Sequence, residues 1–157
     1  MKKNVLLLIG IVFLTTVLVA DSYSQNPEAA VNIYCKAVED GGELKFTMWD
    51  AEDTIVATLS SEDPAKFVAD LITNVKPGSV VFWEWDEDSE VKKFVNVAPP
   101  APGKIMPGPA QSVNSSKKFR LVIPGNATPG QESYYIQFTW KGDTVTIDPH
   151  LRVPPTP

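Results

Sequence analysis

The stretch SYYIQFTWKGDTVTIDPHLRV, residues 133–153, alternates with a period of two on both sides of Lys141-Gly142-Asp143. Before that turn, Tyr134, Ile136, Phe138 and Trp140 share one face, and Tyr135, Gln137 and Thr139 share the other. After it, Val145, Ile147, Pro149, Leu151 and Val153 form an apolar row against Thr144, Thr146, Asp148, His150 and Arg152. Successive side chains of a strand point to opposite faces, so strict alternation predicts half-buried antiparallel strands. The parity puts the only histidine, His150, on the solvent side, two residues from Asp148 and from Arg152. Pro149 has no N–H to donate, so the strand must be an edge or be interrupted there.

The same period recurs upstream. In AVNIYCKA, residues 30–37, Val31, Ile33, Cys35 and Ala37 oppose Asn32, Tyr34 and Lys36. In ELKFTMW, residues 43–49, Leu44, Phe46 and Met48 oppose Glu43, Lys45 and Thr47. Gly41-Gly42 between the two is a hairpin signal. TIVATL, residues 54–59, and KKFRLVI, residues 117–123, add two more strands. The stretch around residues 64–74 reads either as a short helix entered at Pro64, with Phe67, Val68, Leu71 and Ile72 as its stripe, or as a strand. APPAPGKIMPGPA, residues 98–110, holds five prolines and two glycines and predicts a long surface loop within the domain. Short alternating strands with turn signals between them predict an all-β fold, an antiparallel Greek-key β-sandwich with at most one short helix.

The first twenty residues differ from the rest. A basic start, Met1-Lys2-Lys3-Asn4, leads into the apolar run VLLLIGIVFLTTVLVA, residues 5–20, and then into polar residues. This is the pattern of a secretory signal peptide cleaved after Ala20, which leaves residues 21–157 as a single domain, periplasmic or secreted. If the segment stays uncleaved it is a membrane anchor, although the run is shorter than the ~18–20 residues a spanning helix needs. The chain has 157 residues and a formal charge of −5; loss of Lys2 and Lys3 makes it −7. That charge disfavours nucleic acid and anionic lipid, which bind positive surfaces. The single cysteine, Cys35, cannot form an internal disulfide, and its parity places it in the core.

Two stretches resemble cupredoxin-like and immunoglobulin-like exported sandwiches. NVKPGSVVFWEWDEDSEVKKFVNV, residues 74–97, is similar to the cupredoxin pattern in which a Pro-Gly turn enters a strand with a central aromatic residue. IPGNATPGQESYYIQFTW, residues 123–140, is similar to the segment with a Thr-Pro-Gly turn and a Tyr-rich strand. The resemblance implies a sandwich fold and, for a blue-copper member, two histidines, a cysteine and a weak axial ligand. Val91-Lys92-Lys93-Phe94 stands where the first histidine would follow, and the chain has one histidine in all. The resemblance therefore supports the fold without the copper; no metal and no cofactor is expected.

WEWDEDSE, residues 83–90, is the most unusual stretch. Val81, Trp83 and Trp85 share a face, either as core or as an exposed platform for a sugar ring or partner. Asp86, Asp88 and Glu90 alternate like the start of a calcium loop, but Val91 and Val97 occupy the positions that need glycine and glutamate. Trp83, Trp85, Asp86, Asp88 and Glu90 are the candidate binding residues, and the Pro-rich loop is a second candidate face. Glu84 and Asp86 could form a glycosidase pair, but nothing in the sequence builds a cleft for them. The expected function is a non-catalytic interaction or structural module with an unidentified protein partner or envelope component. The alternative is a small-ligand or carbohydrate-binding module that uses surface tryptophans. A metal-binding protein is the least favoured reading.

Overall fold

A computed structural model describes residues 30–52, 54–59 (backbone and pairing) and 71–156. The segment expected to be a signal peptide and most of the helix-or-strand stretch lie outside the described residues. The described residues form twelve strands and no helix. The first layer contains β1 (Ala30–Asp40), β2 (Glu43–Trp49), β3 (Thr54–Leu59), β5 (Val80–Trp85), β7 (Gln111–Val113) and β8 (Lys118–Val122), in the order β3-β2-β1-β5-β8-β7. The remaining strands are β4 (Ile72–Asn74), β6 (Phe94–Ala98), β9 (Gly130–Ser133), β10 (Tyr135–Trp140), β11 (Asp143–Ile147) and β12 (His150–Val153). They form two three-stranded sheets, β11-β10-β6 and β4-β12-β9.

These two small sheets share one hairpin. Ile136 pairs with Ile147 in one and Ser133 with His150 in the other, at the same register. The strands on either side of Lys141-Gly142 thus run without a bulge from residue 130 to residue 153. The ladder breaks at Asp148-Pro149, opposite Tyr134-Tyr135, where the proline has no N–H to give and its carbonyl accepts from the Tyr134 N–H at 2.9 Å. The proline therefore interrupts the strand, as its chemistry predicts. It does not mark an edge, since β12 lies between β4 and β9. One end of the hairpin is flanked by β6 and the other by β4, which makes a second layer facing the six-stranded sheet.

The turns follow their glycines. Asp40 pairs with Glu43 across Gly41-Gly42, both with positive φ (63° and 91°), the geometry that matches the twist of a two-residue hairpin. Lys141 and Gly142 repeat it with φ of 49° and 96° between Trp140 and Asp143.

Two pairings depart from the antiparallel expectation: β1 runs parallel to β5, and β12 parallel to β4. Alternation within a strand reports which face is buried and is blind to the direction of the neighbour. Ile72, assigned to the helical stripe in one reading, lies in a strand, while Leu71 is buried.

The inward rows meet between the layers. Ile33, Cys35 and Ala37 of β1, Leu44, Phe46 and Met48 of β2, and Val81, Trp83 and Trp85 of β5 are buried against Ile136, Phe138, Val145 and Ile147 of the second layer. Phe46 stacks on Phe138 at 5.8 Å between centroids, and Trp85 on Phe94 at 4.8 Å. Each large apolar side chain taken fully out of water contributes roughly 1.5–3 kcal/mol. With no disulfide possible, this interdigitation holds the fold.

Candidate functional site

Trp83 is fully buried, and Trp85 is 8% exposed. The Trp83 indole N–H donates to the Tyr134 hydroxyl at 3.0 Å, across the two layers. Trp83 is thus sealed in the core, and Trp85 is core with a small exposed part that borders a surface pocket beside Glu84, Asp86 and Lys118. The cause is the parity already visible in VVFWEW: the row Val81, Trp83, Trp85 faces the second layer, and Val80, Phe82 and Glu84 face out.

The acidic loop after β5 serves its own backbone. The Asp86 side chain accepts from the Asp88 N–H at 3.0 Å, and Glu90 accepts from the Glu39 N–H at 3.3 Å. Ser89 is buried and takes both the N–H and the carbonyl of Ala37 at 3.0 and 3.3 Å. The Asp86 N–H donates to the Cys35 carbonyl at 2.7 Å, and the Glu90 N–H to that of Ala37 at 2.8 Å. Lys36 lies 3.8 Å from Asp86 and 3.5 Å from Asp88. The loop extends the hold of β5 on β1. Among the described residues, no three His, Cys, Asp or Glu side chains gather as metal ligands.

His150 stands on the outer face and is half-buried between Ile72 and Ser133. Its Nε2 lies 3.1 Å from the Ser133 hydroxyl, while its buried Nδ1 has no partner. A Ser-His pair works as a nucleophile and base when a third group orients the ring. Asp148, two residues away, makes no hydrogen bond to it. Cys35 is fully buried, and burial pushes its thiol pKa well up. The same desolvation raises the Tyr134 hydroxyl.

The Pro-rich loop is more than surface. Ile105 and Met106 are buried in the core, and Glu132 holds the segment there. Its carboxylate accepts from the N–H groups of Lys104 at 2.6 Å, Ile105 at 3.1 Å and Met106 at 2.9 Å. The carboxylate sits so close to Gly103 that a Cβ there would collide with it. The apolar pair Ile105-Met106 amid prolines was the available signal; Glu132, 26 residues away, carried none.

A groove of about 440 Å³ opens where the end of the six-stranded sheet meets β4. Tyr34 and Trp49 are cross-strand partners on the outer face, and their rings stack at 5.6 Å with 22° between planes. Tyr34 is 37% exposed and Trp49 half-buried. Asp50 and Glu52, just past β2, reach the second layer. Thr73 donates to Asp50 at 2.6 Å, and the Asn74 amide to Glu52 at 2.6 Å. Arg152 Nε in turn donates to Asn74 Oδ1 at 2.8 Å. Ala30, Val31, Asn32 and Ala51 also line it.

The rest of that outer face is continuous with the groove. Tyr34 lies beside Glu84, which pairs with Lys118 at 3.0 Å; Asn32 lies beside Phe82, which registers with Arg120. The Lys118 ammonium sits 4.5 Å from the Phe82 ring centroid. Against known protein families and curated proteins, the chain finds no match.

Proposed function

We propose that the protein is an exported, non-catalytic binding module whose working surface is the outer face of its six-stranded sheet. The observation that carries this is the half-exposed set of Tyr34, Trp49 and Phe82 on that face, interleaved with Lys36, Lys118 and Arg120. In a chain of net charge −5, this face gathers three cationic side chains beside three rings. Amphipathic rings and arginine are the side chains enriched where partners dock. The absence of a carboxylate on His150 and the burial of Cys35 favour binding over nucleophilic chemistry.

Photo-crosslinking tests it. A diazirine side chain at position 82, in protein expressed in its own host, is expected to give one discrete adduct, with a polypeptide or an envelope component. The same group at Thr146, exposed on the second layer, is expected to give none. No adduct from position 82, or the same pattern from both, would reject the reading. Export is checked by the mass of the mature protein, expected to begin at Asp21; retention of Met1–Ala20 in the cytoplasm would contradict it.

A further inference from the structure

We infer that the groove beside Tyr34 and Trp49 takes a pyranose ring of a neutral glycan; this rests on the binding-module reading. The lining combines two aromatic rings with several polar groups at one end of the sheet: Asn32, Asp50, Glu52, Thr73 and Asn74. A sugar ring has the matching character. Its C–H face is apolar and packs on aromatic rings, while its hydroxyls donate and accept around the rim. Ligand sites of this kind pair apolar walls with a few well-oriented polar groups. Orientation is provided here: Thr73 fixes Asp50, which also accepts from the Glu52 N–H at 2.8 Å, and Asn74 fixes Glu52.

The competing occupant is a cationic group, drawn by the two carboxylates. Two features favour the sugar. The lining mixes donors and acceptors: Asn32 offers both, and the Asn74 amide, with one N–H on Glu52 and its oxygen on Arg152, keeps a second N–H, whereas an ammonium only donates. A cation is also already at hand, since Arg152 bonds Asn74, the residue that holds Glu52. An anionic ligand is disfavoured by the same carboxylates.

The test is a titration of the protein with the methyl glycosides of glucose, galactose, mannose and N-acetylglucosamine, and separately with tetramethylammonium chloride. The Trp49 indole N–H resonance is the reporter. At least one glycoside is expected to give a saturable shift, unchanged between about 0.05 and 0.5 M salt, a range over which exposed charges become screened. Trp49→Ala, followed through the backbone amides of Asn74 and Glu52, is expected to weaken binding about tenfold, equivalent to about 1.4 kcal/mol. Glu52→Ala, an exposed and structurally mild change, is expected to weaken it about fivefold, the loss of one hydrogen-bonding partner. Saturation by no glycoside overturns the inference. So does salt-sensitive saturation by tetramethylammonium alone, which would make the groove a cation site. An adduct from position 82 with no glycoside binding leaves the binding-module reading standing and removes only the sugar.

Discussion

Trp83 and Trp49 occupy opposite faces of one sheet. Trp83 points between the layers, pairs its N–H with Tyr134 and is sealed from water. Trp49 points outward, stacks on Tyr34 and lines a groove. Side chains of one type thus do opposite work, and the parity of the strand decides which. The unusual stretch WEWDEDSE contributes the pair that builds the core. The unremarkable ELKFTMW ended in the ring that faces solvent.

The sharpest way to break this contrast is to truncate both rings. Trp83→Ala is expected to cost about 3–5 kcal/mol, the scale of a large aromatic removed from a core, and leaves the buried Tyr134 hydroxyl without its donor. Trp49→Ala is expected to cost about 1 kcal/mol, the scale of one aromatic pair. Urea denaturation of the two variants measures both. Equal losses would mean that the outer ring is structural as well.

The second largest effect is expected at Glu132. Glu132→Ala should cost about 2–3 kcal/mol, since three backbone N–H groups lose a charged acceptor. It should also increase hydrogen exchange at residues 104–106 before any global unfolding. Unchanged exchange there would show that the Pro-rich loop is held by Ile105 and Met106 alone.

Alkaline pH probes the sealed side. Burial raises the Cys35 thiol above its unfolded value, so the folded state keeps its proton after the unfolded chain has lost it. Stability is then fully present below about pH 8.5, the ordinary thiol value, and falls by about 1.4 kcal/mol per pH unit above it. Tyr134, raised for the same reason, adds a second such loss above about pH 10. Cys35→Ala should remove the first slope and keep the second. Stability independent of pH between 8.5 and 10 in the parent protein would contradict the burial of the thiol.

The smallest effect is expected at His150. Its outward position and single bond to Ser133 predict a cost of about 1 kcal/mol or less for His150→Ala by chemical denaturation. A loss above about 2 kcal/mol would place it in a buried network.

Much of this was legible in the residues. Alternation identified the inward rows of β1, β2, β10, β11 and β12, the two glycine turns and the outward side of His150; it grouped Val81, Trp83 and Trp85 on one face of β5 without saying which way that face points, and Pro149 marked either an edge or an interruption. Alternation could not show which strands become neighbours, so the parallel pairing of β1 with β5 stayed hidden. The groove was invisible for the same reason. Tyr34 and Trp49 are 15 residues apart, and Thr73 and Asn74 come from the other layer. The clamp of Glu132 on residues 104–106 is likewise a contact between segments that no local period connects.

Oxidation of tryptophan by N-bromosuccinimide, followed residue by residue through peptide masses, tests the central contrast most directly. Trp49 is expected to be modified in the native protein, while Trp83 and Trp85 react only once it unfolds. Modification of Trp83 or Trp85 as fast as Trp49 would contradict that contrast.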